Sequence, residues 1–171
     1  GQNNRKLGSH VEKGTLKGAA LYGLSLEERA TCPVTCDVRA RCYGNGMQMA
    51  RRHRIGDQEV FYARLEAELG ALIAEHGTIL VRLHVLGDFP TEEYVAFWKD
   101  MLDEMPGLSI YGYSHRLPKH DPVGDAIQAV KDAHPDRFRI RWSTQAPMLD
   151  AASIRGSGMK AEGLRCPAQS D

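Results

Sequence analysis

The feature that most constrains the fold is the alternation of β-type apolar segments with amphipathic helical segments. Strands are predicted at Thr78–Leu86, Leu108–Ser114 and Phe138–Thr144, with a first candidate strand at Lys17–Leu24. Helical segments separate the later strands. Strands that alternate with amphipathic helices are typical of βαβ units and a parallel sheet. The sequence therefore predicts an α/β fold.

The predicted helices have apolar stripes and recognisable first residues. Between Val60 and Glu75 the apolar side chains recur at helical spacing, which predicts an amphipathic helix. Thr91 is placed to cap a second helix, whose stripe includes Trp98. Asp121-Pro122 predicts a third helix start, with an N-cap followed by proline at the first helical position. Each helix can cover a sheet face with its apolar stripe.

Composition limits the classes of protein. Of the residues, 42% are hydrophobic, enough for a core, and we expect a single α/β domain over 1–171. Its ends would be an irregular segment at 1–17 and a tail at 145–171. Lys plus Arg and Asp plus Glu both count 22, which argues against a generic nucleic-acid coat. No membrane-spanning run and no signal peptide are visible, so we expect no membrane contact. The cysteine usage described next indicates a reducing cytoplasm.

Three of the four cysteines lie close together, in a loop that contains proline. They are Cys32, Cys36 and Cys42. Four cysteines are too few for a disulfide scaffold in a chain of this length, and such short spacings fit one metal centre better. Thiolates bind iron–sulphur clusters and zinc alike. We expect an iron–sulphur cluster, with structural zinc and incidental buried cysteines as the alternatives.

Polar residues follow the predicted strands at their carboxyl ends. Gly87-Asp88 follows the second strand and Ser114-His115 the third, while the cysteine loop follows the first candidate strand. Because ligands bind at the carboxyl ends of parallel strands, these residues are expected to lie together. For Asp88 two roles are open, a turn residue or a carboxylate that binds a cationic group.

Cationic and aromatic side chains alternate along the same strands. Arg82 and His84 are expected to share one strand face, Tyr111 and Tyr113 to repeat it on the next strand, and Arg139 and Arg141 on the last. With His115 from the adjoining loop, these residues could line a cationic site. Such a lining suits a carboxylate, a phosphate or a nucleotide. The alternative for Arg82 and His84 is a solvated face.

Several motifs together resemble one known family. They are Cys32-Pro33 with Cys36 and Cys42-Tyr43, the run from Arg82 to Phe89, the run from Ile110 to Ser114, and Cys166-Pro167. These motifs resemble the phage gene product 88 family, which is itself similar to radical-SAM proteins. The resemblance implies a partial (β/α) barrel with a cysteine loop after the first strand. It further implies that the three loop cysteines hold a [4Fe–4S] cluster and that Gly87, Asp88 and Phe89 bind S-adenosylmethionine.

Two functions remain open on the sequence. The first is an iron–sulphur protein that cleaves S-adenosylmethionine reductively, with Arg82, His84 and Arg141 positioning an anionic substrate. The second is a non-enzymatic module whose cluster or zinc is closed by Cys166. That module would bind nucleic acid or a protein through basic segments such as Arg51–Arg54, a run that could equally be solvated surface.

Overall fold

The computed structural model describes residues 8–36, 39–47 and 50–143. Four strands and four α-helices follow one another along this part of the chain, together with two short 3-10 helices at Arg39–Arg41 and Tyr43–Gly46. In chain order the strands and α-helices are β1 (Ala20–Leu24), α1 (Glu28–Thr31), α2 (Gln58–His76), β2 (Ile79–Leu83), α3 (Glu92–Glu104), β3 (Leu108–Ser114), α4 (Pro122–Ala133) and β4 (Phe138–Trp142).

The strands form one sheet in the order β1-β2-β3-β4, and every pair is parallel. This confirms the predicted α/β class and parallel sheet. The sheet is open, with β1 and β4 at opposite ends of the strand order, so the described strands do not close into a barrel. Before β1, the chain makes an antiparallel bridge between His10 and Ala20.

The three long helices begin at side chains that accept a backbone hydrogen bond. Asp57 accepts from Val60 before α2, Thr91 accepts from Tyr94 before α3, and Asp121 accepts before α4. Such caps satisfy N–H groups that have no partner inside the helix. The predicted starts at Thr91 and Asp121 are confirmed. None of the described helices is long and apolar enough to cross a membrane.

The core lies between the helices and one face of the sheet. Alternate strand residues such as Val81, Leu83 and Ile110 are buried there, and Trp98 of α3 is fully buried, as its apolar stripe predicts. The opposite face carries Arg82, Tyr111, Tyr113, Arg139 and Arg141, which are half-buried or exposed. The sheet face opposite the helices is therefore the more polar of the two.

Two predictions about the second strand are wrong. The strand ends at Leu83 rather than Leu86, and the buried His84 packs with the core instead of sharing the Arg82 face. Residues 50–54, which include the basic run, are not helical.

Candidate functional site at the carboxyl edge of the sheet

The described cysteines follow β1 and α1 and are partly exposed. Cys32, Cys36 and Cys42 form no disulfide bond. Burial raises the pKa of the Cys32 thiol to about 12, and negative charge on Asp88, Cys36 and Cys42 adds to the rise. The other two thiols and the Asp88 carboxylate are therefore close enough to act on Cys32. Within the described residues, no group of three or more His, Cys, Asp or Glu side chains is arranged to hold a single metal ion.

Asp88 joins the carboxyl ends of β2 and β3. Its Oδ1 accepts hydrogen bonds from the backbone N–H of Phe89 and the hydroxyl of Ser114, each at 2.8 Å. Its Oδ2 accepts one from the backbone N–H of His115, also at 2.8 Å. The side chain is buried, and burial raises the pKa of Asp88 while these bonds oppose the rise. The carboxylate is thus already satisfied by the protein's own donors.

Thr31, the residue before Cys32, is bound to this junction. Its hydroxyl donates to the Glu27 carbonyl at 3.0 Å and accepts from the Asp88 backbone N–H at 3.2 Å. Arg116 donates to the Thr31 carbonyl at 3.3 Å and pairs with Asp121 at 2.9 Å. The first loop cysteine is therefore placed by contacts to residues that follow β2 and β3.

Gly87 is needed where α1 approaches this junction. Its φ is +89°, a conformation that side chains rarely adopt. An added Cβ would lie 2.7 Å from the Thr31 hydroxyl and 2.8 Å from the Leu26 Cβ. The space at Gly87 is filled by Thr31 of α1 and by Leu26, two residues before that helix.

Arg52 organises the far side of the cysteine loop, although the sequence favoured a surface position. Its guanidinium makes a two-point pair with Glu28, at 2.8 and 3.2 Å. It also donates to the carbonyls of Gly44, Met47 and Ala50 at 2.9–3.0 Å. This pairing lowers the pKa of Glu28 and raises that of Arg52. Only a planar guanidinium presents enough donors in the fork geometry that this arrangement uses.

The polar sheet face brings together five of the residues predicted to line a cationic site. Arg82 of β2, Tyr111 of β3 and Arg139 of β4 are register partners, and Tyr113 pairs with Arg141 in the next outward row. Burial raises the pKa of Tyr111, the Arg82 charge opposes this, and Tyr113 adds to the rise. These residues, Arg82, Tyr111, Tyr113, Arg139 and Arg141, are called the arginine–tyrosine face below.

Other predicted site residues lie elsewhere. His84 is buried, with its Nε2 3.0 Å from the Tyr94 hydroxyl, and burial lowers its pKa to about 3, so the ring is neutral. Phe89 is fully buried against His84 and Tyr94, so its side chain belongs to the core. His115 is half-buried after β3. Cys166 lies outside the described residues.

A cavity between α2 and the sheet was not foreseen from the sequence. It encloses about 1310 Å³, with apolar walls that include Phe61, Leu65 and Val85 and a rim that includes Arg51 and Arg64. The apolar stripe of α2 predicted close packing, yet Leu69 is the only fully covered residue among the described side chains of that helix. No local sequence signal marks a gap between two packed elements.

Together these contacts define a class of protein: an α/β protein with an open parallel sheet and three free cysteines beside its carboxyl edge. The chain belongs to the Gene product 88 family, whose model matches residues 1–160. This confirms the resemblance to a phage family that the motifs indicated. Searches of curated proteins and of solved structures found no match to the chain. The similarity to radical-SAM proteins stays a prediction.

Proposed function

We propose that the protein is an iron–sulphur protein in which Cys32, Cys36 and Cys42 hold a [4Fe–4S] cluster. The observation that carries this proposal is the position of the three cysteines beside the sheet edge, outside any disulfide, where Cys36, Cys42 and Asp88 lie near enough to act on the charge of Cys32. Neighbouring thiols and a buried carboxylate make ionisation of Cys32 costly by itself. A bound cationic centre would offset that accumulated negative charge.

The donor set fits a cluster better than a single zinc ion. Thiolates are the usual ligands of iron–sulphur clusters. A structural zinc ion needs its ligands around one point in a tetrahedron, and the described residues do not form such a group. Each thiolate of a cluster binds a different iron, so the three sulphurs surround a larger centre and need not all lie within bonding distance of one atom. Zinc closed by Cys166 remains the alternative metal.

The chain's own residues would position this centre. Thr31 and Asp88 hold the chain just before Cys32. Arg52 binds the carbonyls of the turn that follows Cys42, and Tyr43 donates a hydrogen bond to the Val85 carbonyl. When bound, the cluster would supply one-electron chemistry. Both ends of the cysteine loop are thereby tied to the sheet that carries the arginine–tyrosine face.

Reductive cleavage of S-adenosylmethionine is a finer prediction that remains open. Asp88 was the expected cofactor ligand, yet both of its oxygens already accept hydrogen bonds from the protein. Phe89 faces the core. Of Gly87, Asp88 and Phe89, only Gly87 is partly exposed. Asp88 therefore has a positioning role in the proposal, and cofactor binding is tested by adding S-adenosylmethionine to the reduced protein.

The non-enzymatic alternative draws less support from the basic run. Arg52 is bound inside the loop, and Arg54 pairs with Glu27 at 2.9 Å. Arg51 is exposed and has no hydrogen-bond or ion-pair partner among the described residues. A nucleic-acid surface built on this run would thus have less cationic charge than the sequence suggested.

The test is anaerobic purification with measurement of iron, acid-labile sulphide and zinc in each chain. The proposal expects iron and sulphide in the natural protein, and loss of both in Cys32→Ser, Cys36→Ser and Cys42→Ser. Thr35→Ser, an exposed change in the same loop, is the matched control and should keep both. Zinc without sulphide in the natural protein would overturn the cluster and favour the structural-zinc alternative.

A further inference from the structure

The arginine–tyrosine face has a charge and shape that the core does not explain. No aspartate or glutamate occupies a position on this side of the four described strands, whose other members include Leu80 and Ser109. The nearby Asp136 pairs with Arg139 at 3.4 Å, an exposed ion pair of small strength. The face as a whole is therefore cationic and aromatic.

Arg82 has a hydrogen-bond donor that the described part of the chain leaves without an acceptor. Its Nε is buried, and no hydrogen-bond partner exists for it among the described residues. Burying a guanidinium N–H without an acceptor costs free energy, because its hydration is lost and nothing replaces it. An anionic ligand that reaches Arg82 would supply the missing acceptor.

The tyrosines supply the second part of the recognition. Tyr111 is half-buried beside Arg82, while Tyr113, two residues closer to the carboxyl edge, is 44% exposed. An exposed ring next to cationic side chains is a surface on which a nucleobase stacks. Phosphate is a natural partner of arginine, since its oxygens match the guanidinium fork.

The dimensions of the face limit the ligand's size. Three strands span roughly 10 Å, and two rows of outward residues on one strand lie about 7 Å apart. That area accommodates one nucleotide rather than a strand of several. Arg82, Tyr113 and Arg141 lie in the carboxyl halves of their strands, toward the edge that carries Asp88 and the cysteine loop.

We infer that the arginine–tyrosine face binds a mononucleotide, with Arg82 holding its phosphate and Tyr113 stacking on its base. This deepens the proposed function by naming a substrate class for the surface beside the cluster. The inference rests on the proposed function only where it makes the nucleotide a substrate. Binding itself needs the sheet face and not the cysteines.

The test is calorimetric titration of the full chain with adenosine 5′-monophosphate at low salt. Arg82→Gln should weaken binding about tenfold or more, because it removes a charged hydrogen-bond donor. Tyr113→Leu should weaken it about tenfold through the loss of base stacking. Arg51→Gln, an exposed arginine away from the face, is the matched control and should leave binding unchanged. Ribose 5-phosphate, which lacks the base, should bind more weakly than the nucleotide.

The inference is overturned if the natural chain shows no measurable binding, or if the Arg82 and Tyr113 variants bind as tightly as it does. It is also overturned if ribose 5-phosphate binds equally well, or if a five-residue deoxyadenylate binds and the mononucleotide does not. Repeating the titration with Cys42→Ser separates the two proposals. Unchanged nucleotide binding there supports the face whatever the metal analysis gives, and loss of binding there contradicts a site formed by the sheet alone.

Discussion

Replacing Asp88 by asparagine tests whether this carboxylate holds the carboxyl edge of the sheet together. The amide oxygen can keep the bonds from the Phe89 N–H and the Ser114 hydroxyl. The amide NH₂ would instead face the His115 N–H, which now donates to Oδ2 at 2.8 Å. Two donors would then oppose each other in a buried site. An unsatisfied buried donor costs about 1–3 kcal/mol, and the loss of bonds to a charged acceptor adds to this.

We expect Asp88→Asn to lower the free energy of unfolding by about 2–3 kcal/mol, because the opposed donors and the lost charged hydrogen bonds outweigh the relief of the burial cost of the carboxylate. Urea unfolding measures this. With a slope of about 1–3 kcal/mol per molar, the midpoint should fall by roughly 0.7–3 M. Asp57→Asn is the matched control, since Asp57 is an exposed N-cap and asparagine caps equally well. A midpoint for Asp88→Asn that equals the control's would refute the reasoning.

Three further predictions concern the core and the loop. Burial lowers the pKa of His84 from 6.5 to about 3, so only the unfolded chain is protonated between these values. The free energy of unfolding should therefore fall as the pH drops from 7, by about 2 kcal/mol at pH 5. His84→Gln should lack this pH-dependent loss when unfolding is measured at both pH values. Arg52→Lys should speed limited proteolysis of the cysteine loop, because lysine cannot bind Glu28 and the loop carbonyls together. Arg51→Lys, at an exposed position, is the control. Equal proteolysis rates in the two variants would contradict the prediction. Gly87→Ala should lower the free energy of urea unfolding by about 2–4 kcal/mol, because of the positive φ and the close Thr31 contact. The control Gly70→Ala, in open space on α2, should raise it by about 0.5–1 kcal/mol. The opposite order would contradict the geometry.

Much of the fold could be predicted from the sequence because its signals are local. Strand alternation and apolar stripes placed β2, β3 and β4 and the helices between them, and Thr91 and Asp121 marked helix starts that the structure confirms. Errors arose where tertiary contacts decide. The alternation of β2 was extended past Leu83, and His84 instead turns into the core to meet Tyr94.

The candidate site was predictable only in part, for the same reason. Parallel register explains why Arg82, Tyr111 and Arg139 lie side by side, since period-two alternation places them on one face. The role of Arg52 was not predictable, because its partners include Glu28, on α1, and the loop carbonyls. Asp88 could be placed at the edge from its position after a strand, but its hydrogen-bond donors, Ser114 and His115, depend on β3.

The most direct test of the central claim is an EPR spectrum of the anaerobically purified, chemically reduced protein, recorded with and without S-adenosylmethionine. If Cys32, Cys36 and Cys42 hold a [4Fe–4S] cluster, the reduced protein should give an iron–sulphur signal that Cys42→Ser lacks. A shift of that signal on adding S-adenosylmethionine would further support an iron open to the cofactor. The absence of any iron–sulphur signal from reduced natural protein, with zinc as its bound metal, would contradict the account.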